Sequence, residues 1–504
     1  ILLRDTANCS SQQQRSLLVD AVVGPMCGIY LYVTHGDDDV VIDETPPSWL
    51  SRRGPDYHGK VQWTVPDRTP TCRVTLQASV LGMREKLSPQ PVPLLPSDDR
   101  EQAYLCWNGE VYQAATKDTD EESEQQLEDH GDNSSSPVDA TVGAPSVSDT
   151  EFVAELLRAT VINCYQSQHN CPETLLPRLA AALCHLVNAE FVLCVATSEW
   201  IYYAKDVWGR RSLLVGTTST RDDDGGSDSS NKKHDKHWIL SSVANNYDSA
   251  DTQWDEVEPG IVFAHHVVTG STQKLAYHLP KTYTVSLLTP RMTIDPVDTL
   301  YRLLRTAVRR RIAGVHSVAV LFSGGLDSVV LAALVLQECN RVTLTNVSFV
   351  PHDAEINDTL TSSTESSSAA ADTRAAVASY DEMQQLFPDA VITFCQRQVP
   401  WVEVQQQQAR LKQLIYPKNT VMDLNIATAF WFAAETATSC RILLTGLGAD
   451  EQLGGYGRHR KAWERHAGNE AEQKAALVQE LQMDQQRLWE RNLGRDDRVL
   501  SDTR

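Results

Sequence analysis

The 504-residue sequence lacks several patterns that would each define a class of protein. Its 11 cysteines include no C-x-x-C pair, which argues against a structural zinc site and against a disulfide framework. No stretch reaches the roughly 18 apolar residues of a membrane-spanning helix. The first 25 residues contain no basic region followed by an apolar one. We therefore expect a protein of a reducing compartment, the cytoplasm, with no membrane partner.

Basic residues are in the minority. The chain has 45 Lys and Arg against 66 Asp and Glu, which gives a formal net charge of -21. This balance disfavours a nucleic-acid-binding surface, so an anionic ligand would need locally placed arginines. Hydrophobic residues make up 41% of the chain, enough for real cores, and the length predicts roughly three domains or two large ones.

A tight glycine loop lies between a β-prone segment, 317–322, and a long apolar run, 329–336. The loop reads S-G-G-L-D-S and matches neither Walker A nor G-x-G-x-x-G. Adjacent glycines let the backbone approach a ligand, while Ser323, Ser328 and the first helical N–H groups can donate to an anion. The pattern predicts a phosphate-binding loop; the alternative is an ordinary turn with serine and aspartate as helix caps.

A second glycine loop, T-G-L-G-A-D-E-Q-L-G-G-Y, follows the apolar run 442–444. The segment 345–350 between the two loops has the pattern of another parallel strand. Because ligands bind at the carboxyl ends of such strands, the two loops together can hold a triphosphate. Asp327 and Asp450 would then be hard oxygen ligands for Mg²⁺.

Residues 1–26 are largely polar and rich in glutamine, and they precede an abrupt β-prone run that starts at Cys27. We expect this segment to be a removed leader or an upstream extension. If Met26 is removed, Cys27 carries a thiol and a free α-amino group, which are a nucleophile and its base on one residue. A buried strand cysteine is the alternative.

Three later segments supply groups that suit the same chemistry. Arg53 lies in a turn and can hold a carboxylate by a bidentate contact. Asn108 and Gly109 at a strand end can form an oxyanion hole, and Asp149 at a helix start can accept from a substrate ammonium. Each is weak alone, because a surface turn, a hairpin and a capping box have the same patterns.

In this order the segments resemble class II glutamine amidotransferases, in which an N-terminal cysteine attacks glutamine and releases ammonia. Gln90-Pro91-Val92 and the run 205–213, with Ser212 in place of the usual proline, extend the match. The resemblance implies a four-layer α-β-β-α N-terminal-nucleophile sandwich. It assigns catalytic roles to Cys27, Asn108 and Gly109, and a glutamine site to Arg53, Asn108, Glu110 and Asp149.

The first glycine loop resembles the pyrophosphate loop of ATP pyrophosphatases, and the order of the two halves resembles that of glutamine-dependent asparagine synthetases. This implies a C-terminal doubly wound parallel sheet, glutamine, ATP and aspartate as substrates, and Mg²⁺ as cofactor, with the metal on Asp327 and Asp450. The implied ATP site comprises Leu321, Ser323, Gly324, Gly325, Asp327, Ser328, Val347, Thr445, Gly446 and Arg498.

Two departures leave other functions open. Leu447 replaces the glutamate of the family's Gly-Glu-Gly, and Arg498 replaces a lysine, which keeps the charge but changes its geometry. The family also continues beyond Arg504, so we expect an incomplete C-terminal domain. The alternatives are a degenerate homologue that acts as a binding or scaffold protein, and a glutaminase coupled to adenylation of a different acid.

The expected organisation has four parts. A leader or extension, 1–26, is followed by a glutamine amidotransferase domain, 27–265, a linker, 266–296, and an ATP-binding domain, 297–504. Two insertions near 116–146 and 218–237 are acidic and poor in large apolar residues, so we expect flexible loops there.

Overall fold

The described part of the chain forms two regions, each with its own β-sheets. A computed structural model describes residues 22–23, 27–35, 47–66, 71–82, 87–96, 101–112, 148–166, 172–186, 189–218, 237–244, 252–277, 295–315, 317–350 and 371–503. The predicted insertion near 116–146, the interior of that near 218–237 and most of the linker lie outside the described residues.

The N-terminal region contains two antiparallel six-stranded sheets, ordered β11-β9-β10-β2-β4-β3 and β13-β12-β8-β7-β6-β5. Up to residue 276 the strands are β1 (Val22–Val23), which belongs to the C-terminal sheet, β2 (Gly28–His35), β3 (Tyr57–Thr64), β4 (Cys72–Val80), β5 (Val92–Pro93), β6 (Ala103–Val111), β7 (Ala189–Thr197), β8 (Trp200–Lys205), β9 (Leu214–Thr218), β10 (Trp238–Ser241), β11 (Thr252–Glu256), β12 (Ile261–His266) and β13 (Thr272–Ala276). The helices are α1 (Ser48–Ser51), α2 (Asp149–Gln166) and α3 (Pro172–Leu183).

The two sheets pack face to face. Side chains alternate between the faces of a strand, so Leu31 and Val33 of β2 point into a core shared with Val192 of β7 and Tyr203 of β8. The outer face of the second sheet is covered by α2 and α3. The outer face of the first sheet carries Tyr30 and is covered by helices of the C-terminal region.

The C-terminal region is built on one five-stranded sheet, ordered β1-β17-β14-β15-β16. Its strands are β14 (Val318–Leu321), β15 (Arg341–Val350), β16 (Val391–Pro400) and β17 (Ile442–Leu444), all parallel to their neighbours except β1. The helices are α4 (Pro296–Ile312), α5 (Leu326–Glu338), α6 (Ala371–Leu386), α7 (Trp401–Ile415), α8 (Val421–Glu435), α9 (Ala449–Leu453), α10 (Gly457–Arg465), α11 (Glu470–Arg487) and α12 (Leu493–Ser501), with a π-helical turn at Leu488–Asn492.

Helices cover both faces of this sheet. Val318 and Val320 of β14 pack with α4, α5 and α6, while Ala319 between them packs with α8 and α12. The mixed α/β class is therefore confirmed. Strand order reverses at β14, because β15 lies on one side of it and β17 on the other. The carboxyl ends of β14 and β17 meet at this reversal, where ligands bind in sheets of this kind.

The segment that we predicted to be a leader contributes a strand. Val22 and Val23 form β1, which pairs antiparallel with Leu444 and Leu443 of β17. The backbone only four residues before Cys27 is thus hydrogen-bonded to the edge of the C-terminal sheet.

Helices of the C-terminal region supply the layer over the first sheet. Tyr30 and Trp254 share a core with Leu414 of α7, Phe432 of α8 and Val499 of α12. Every residue of α12 is buried, although its sequence, LGRDDRVLS, is strongly charged. None of the described helices is both long enough and apolar enough to span a bilayer.

Candidate active sites

Cys27 lies immediately before β2 and is half-buried. Its Sγ accepts a hydrogen bond from the Leu81 N–H at 3.5 Å. Burial raises the thiol pKa to about 11; the Glu110 charge adds to the rise, while the Leu81 N–H and Arg53 oppose it. The thiol is therefore protonated near neutral pH, and a reaction at Sγ needs a base.

Asn108 of β6 is fully buried, and within the described part of the chain neither Nδ2 nor Oδ1 has a hydrogen-bond partner. The strand beside it is fixed by Gln90, whose Oε1 accepts from the Trp107 N–H at 2.7 Å. A Cβ at Gly109 would lie 2.2 Å from the Glu190 carbonyl oxygen, so only glycine fits. A buried unpaired amide costs about 1–3 kcal/mol, which a ligand acceptor and donor could recover.

Asp149 is the first residue of α2. Its Oδ2 accepts from the Val111 N–H at 3.0 Å, which joins the start of α2 to the end of β6. The fold therefore brings Asn108, Gly109, Glu110 and Asp149 to one end of β6, and Glu110 lies close enough to Cys27 to influence its pKa.

Arg53 is placed beside Cys27, but its guanidinium already has partners. Its Nε donates to the Cys27 carbonyl at 3.4 Å, and its Nη2 donates to Asp497 Oδ2 at 2.7 Å. Only 1% of Arg53 is exposed. The group that we predicted to hold a substrate carboxylate instead holds a carboxylate of α12, 444 residues away in sequence.

Asp497 is the center of a buried polar network. Its Oδ2 also accepts from the Ser212 N–H at 3.0 Å, and Arg211 lies 3.6 Å from Oδ1. Burial alone would raise the pKa of Asp497, but Arg53 and Arg211 lower it below its usual range. Arg211 also pairs with Glu190 at 3.0 Å, and Glu190 pairs with Arg311 of α4 at 2.5 Å.

The roles of Asp497 and Glu190 were not predicted from the sequence. The only local signal for Asp497 is a run of mixed charges, Arg495 to Arg498, on a helix, and such a run normally indicates a solvated face. Glu190 is the second residue of β7 and its only acid, which is unusual for a strand buried throughout.

The first glycine loop has the predicted strand, loop and helix arrangement. Gly324 has φ +77°, and a Cβ there would lie 2.3 Å from the Ala376 nitrogen of α6. Ser328 Oγ donates to the Gly325 carbonyl at 2.9 Å, and the Gly325 N–H donates to Ser323 Oγ at 3.3 Å. Ser323, Gly325 and Asp327 are exposed, so this loop is open to a ligand.

The second glycine loop packs directly against the first. A Cβ at Gly446 would lie 2.8 Å from Asp327 Cβ. Partial burial raises the pKa of Asp327, and the Asp450 charge raises it further. Two neighbouring carboxylates suit a hard cation such as Mg²⁺. Among the described residues, no group of three His, Cys, Asp or Glu side chains forms a metal-binding cluster.

The strand ends beside the loops hold the remaining predicted residues of the ATP site. Leu321 of β14 pairs with Thr345 of β15, two residues before Val347. Buried Thr445 accepts from the Leu447 N–H at 3.3 Å, which holds the second loop in a tight turn.

Arg498 lies elsewhere, contrary to our prediction. It is fully buried in α12, where its Nη1 donates to Glu256 Oε1 at 2.5 Å and to Ser212 Oγ at 2.7 Å. Its Nε donates to the Leu414 carbonyl at 2.6 Å. Because its charge is paired with the N-terminal region, we correct its assignment from phosphate contact to interface residue.

The chain thus combines two candidate sites. One surrounds Cys27 in the region of two antiparallel sheets, and the other is formed by the two glycine loops that follow strands of the mainly parallel sheet. Residues 299–502 match the family model for asparagine synthase. The resemblance to asparagine synthetase domain-containing protein 1, carried by segments 445–456, 458–460 and 491–499, is confirmed.

Three relatives show how much of the chain this similarity covers. An asparagine synthetase domain-containing protein of Drosophila melanogaster, CG17486, is 38% identical over 190 residues, 36% of this chain and 32% of that protein. Asparagine synthetase domain-containing protein 1 of Bos taurus is 33% identical over 276 residues, covering 43% and 42%. YML096W of Saccharomyces cerevisiae is 30% identical over 338 residues, covering 60% and 57%. The matches thus span between about a third and three fifths of these relatives' lengths.

Solved structures are similar only distantly. A glutamine phosphoribosylpyrophosphate amidotransferase of B. subtilis, complexed with ADP and GMP, is 14% identical with a TM-score of 0.32, covering 73% of this chain and 90% of that one. A predicted glutamine amidotransferase of Pseudomonas aeruginosa is 10% identical with a TM-score of 0.25, covering 49% and 98%.

Proposed function

We propose that this chain is a glutamine-dependent amidotransferase of the asparagine synthetase type. One observation carries the glutaminase half: the buried amide of Asn108 has no partner among the described residues, and it lies on β6, the strand that also carries Glu110 beside Cys27. An oxyanion hole needs such preorganised donors before its ligand arrives. The similarity of residues 299–502 to asparagine synthase supports the other half.

In the proposed glutaminase reaction, Cys27 Sγ attacks the side-chain amide of glutamine and expels ammonia. Asn108 and the Gly109 N–H stabilise the oxyanion, and water then hydrolyses the thioester to glutamate. Arg53 and Asp149 bind the carboxylate and ammonium of glutamine, with Glu110 beside them. The raised pKa of Cys27 requires a base, which the Cys27 α-amine supplies once residues 1–26 are removed. We assign this region, 27–265, to the four-layer N-terminal-nucleophile sandwich.

In the proposed synthetase reaction, ATP activates an acid, by resemblance aspartate, by forming an acyl adenylate and pyrophosphate. The ammonia then displaces AMP and gives asparagine. Ser323, Gly324, Gly325 and Ser328 bind phosphate oxygens, Asp327 and Asp450 hold Mg²⁺, and Leu321, Val347, Thr445 and Gly446 line the nucleotide. This region, 297–504, we assign to the ATP pyrophosphatase fold. We place the protein in the cytoplasm, without nucleic acid or membrane as partner.

The test is covalent labelling. With Cys27 at the N-terminus, a glutamine-mimicking electrophile should modify Cys27 and none of the other cysteines, and Cys27→Ala should abolish labelling. The exposed Cys184 is the internal control for nonspecific reaction. Active protein that retains residues 1–26 would contradict the proposed base.

A specific observation favours a second function. Leu447 replaces the carboxylate of the synthetase motif and cannot orient a nucleophile. A degenerate homologue would bind glutamine or ATP without joint turnover, and a glutaminase coupled to another acid would release pyrophosphate with that acid alone. Calorimetric titration with ATP and with glutamine, followed by a pyrophosphate assay, separates the three functions.

A further inference from the structure

Three of the five N–H donors of the Arg53 guanidinium already bind protein oxygens. An arginine grips a carboxylate through two parallel N–H groups on one edge of its fork. On one edge, Nε donates to the Cys27 carbonyl at 3.4 Å. On the other, Nη1 donates to the Asp497 carbonyl at 3.4 Å and Nη2 to Asp497 Oδ2 at 2.7 Å. Both edges therefore already have protein acceptors.

Asp497 also supplies the charge that a glutamine carboxylate would supply. Its side chain is fully buried and its pKa is lowered, so it is ionised at neutral pH. Two carboxylates that share one guanidinium repel each other, and a buried site gives little solvent screening. The Arg53–Asp497 pair and a bound glutamine carboxylate are consequently alternatives.

We propose that Asp497 is an internal competitor for Arg53, so that glutamine binds only when α12 withdraws this carboxylate. The inference rests on the proposed glutaminase function and adds a positioning residue to it, contributed by the C-terminal region. The same helix carries Arg498, paired with Glu256 of the N-terminal region at 2.5 Å. The position of α12 relative to the first sheet therefore sets the affinity for glutamine.

The first experiment measures L-glutamine binding by calorimetry to the full chain with Cys27→Ala, which prevents turnover. Asp497→Asn keeps an oxygen acceptor for the Ser212 N–H but removes the competing charge. We expect its Kd for L-glutamine to fall by at least about fivefold, the lower end of typical coupling between two sites.

The second experiment separates competition from a structural effect. In protein that begins at Cys27, Asp497→Asn should lower the KM for glutamine by the same factor and leave kcat unchanged. If Asp497 merely orients Arg53 for the substrate, KM rises instead. The matched control is Asp423→Asn, which removes buried pairs to Arg495 and Arg491 at 2.5 and 2.8 Å without touching Arg53. Its Kd should equal that of the parent.

The possible outcomes distinguish failure of the proposed Asp497 competition from failure of the proposed glutaminase function. Glutamine binding that is unchanged or weaker in Asp497→Asn overturns the competition and leaves the glutaminase function standing. An equal gain in Asp423→Asn also overturns it, because general loosening of α12 would then suffice. If no variant binds or hydrolyses glutamine, the proposed function is wrong and the competition falls with it.

Discussion

The two candidate sites present their ligand-binding groups in opposite ways. In the C-terminal region, Ser323, Gly325 and Asp327 are exposed on loops whose shape is set by glycine. In the N-terminal region, Arg53 and Asn108 are fully buried, and Arg53 is paired with a residue of the other region. The first loop is open to a ligand, whereas in the proposed glutamine site Arg53 has to exchange Asp497 for the substrate carboxylate.

The strongest test removes Glu256, whose buried charge joins the two regions through Arg498. Glu256 binds Arg498 at 2.5 Å and Lys205 at 3.5 Å, and although burial alone would raise its pKa, these two charges lower it. Glu256→Ala leaves two buried cations unpaired, so we expect the free energy of unfolding to fall by about 3–5 kcal/mol. Denaturant unfolding measures this.

The neighbouring Glu258 provides the control for that substitution. It pairs with Lys274 at 3.4 Å, but both side chains are exposed. Exposed pairs contribute only about 0–1 kcal/mol, so Glu258→Ala should change little. Equal losses in the two variants would show that the buried pair has no special role.

A substitution at Gly324 tests whether the open site depends on its backbone. Gly324→Ala places a Cβ 2.3 Å from the Ala376 nitrogen at φ +77°. We expect a loss of roughly 2–5 kcal/mol in stability from strain and overpacking, together with loss of ATP binding. Gly457→Ala at the start of α10 is the control, since it lies outside the assigned ATP site and an added Cβ there meets no atom within 4 Å. Calorimetry with ATP should show binding in the control only.

Substitution of Leu447 tests whether the exposed glycine-loop site can also catalyse the synthetase reaction. If the synthetase step needs a carboxylate here, its absence costs on the order of 2–4 kcal/mol, or about 10²–10³ in rate. A version as long as its relatives should bind ATP but form asparagine slowly or not at all, and Leu447→Glu in that version should raise the rate. Robust asparagine formation by the unmodified protein would refute this prediction.

Asp327→Asn has the smallest expected effect, and its sign depends on pH. It should weaken Mg·ATP binding about tenfold, as loss of one charged contact does, and leave Cys27 labelling intact. Partial burial and Asp450 raise the pKa of Asp327, so ionisation disfavours the folded state above that pKa. Without Mg²⁺, the variant should melt slightly higher at pH 7 but equally below about pH 4, where both forms are neutral. Unchanged nucleotide affinity would indicate a structural turn.

The geometry of the first glycine loop was predictable because its strand, loop and helix are contiguous in sequence. The strand, glycine loop and helix at 317–338 are specified by local propensity, and the turn at Gly324 needs the residue that the sequence supplies. Strand β16 was missed, although the β-prone run 391–394 after a Pro-Asp turn signals it.

The N-terminal site was predictable only in part. Its residues were found one by one, but the pairs Arg53–Asp497 and Arg498–Glu256 join positions 444 and 242 residues apart. No local pattern specifies such a partner. The charges of α12 indicate a solvated helix on their own, and only opposing charges that are distant in sequence, in the N-terminal region and at Asp423 of α8, make their burial favourable.

The burial of α12 has a consequence for synthesis of the chain. The ribosome completes the first sheet long before it reaches residues 493–501, so Arg53 emerges without its acidic partner Asp497, and the face of Tyr30 and Trp254 emerges without its cover. A nascent chain at this stage exposes an apolar surface and leaves the Arg53 guanidinium without its carboxylate partner. We expect the first half to need a chaperone until α12 is translated, so that a segment made long after the first sheet completes the packing of that sheet.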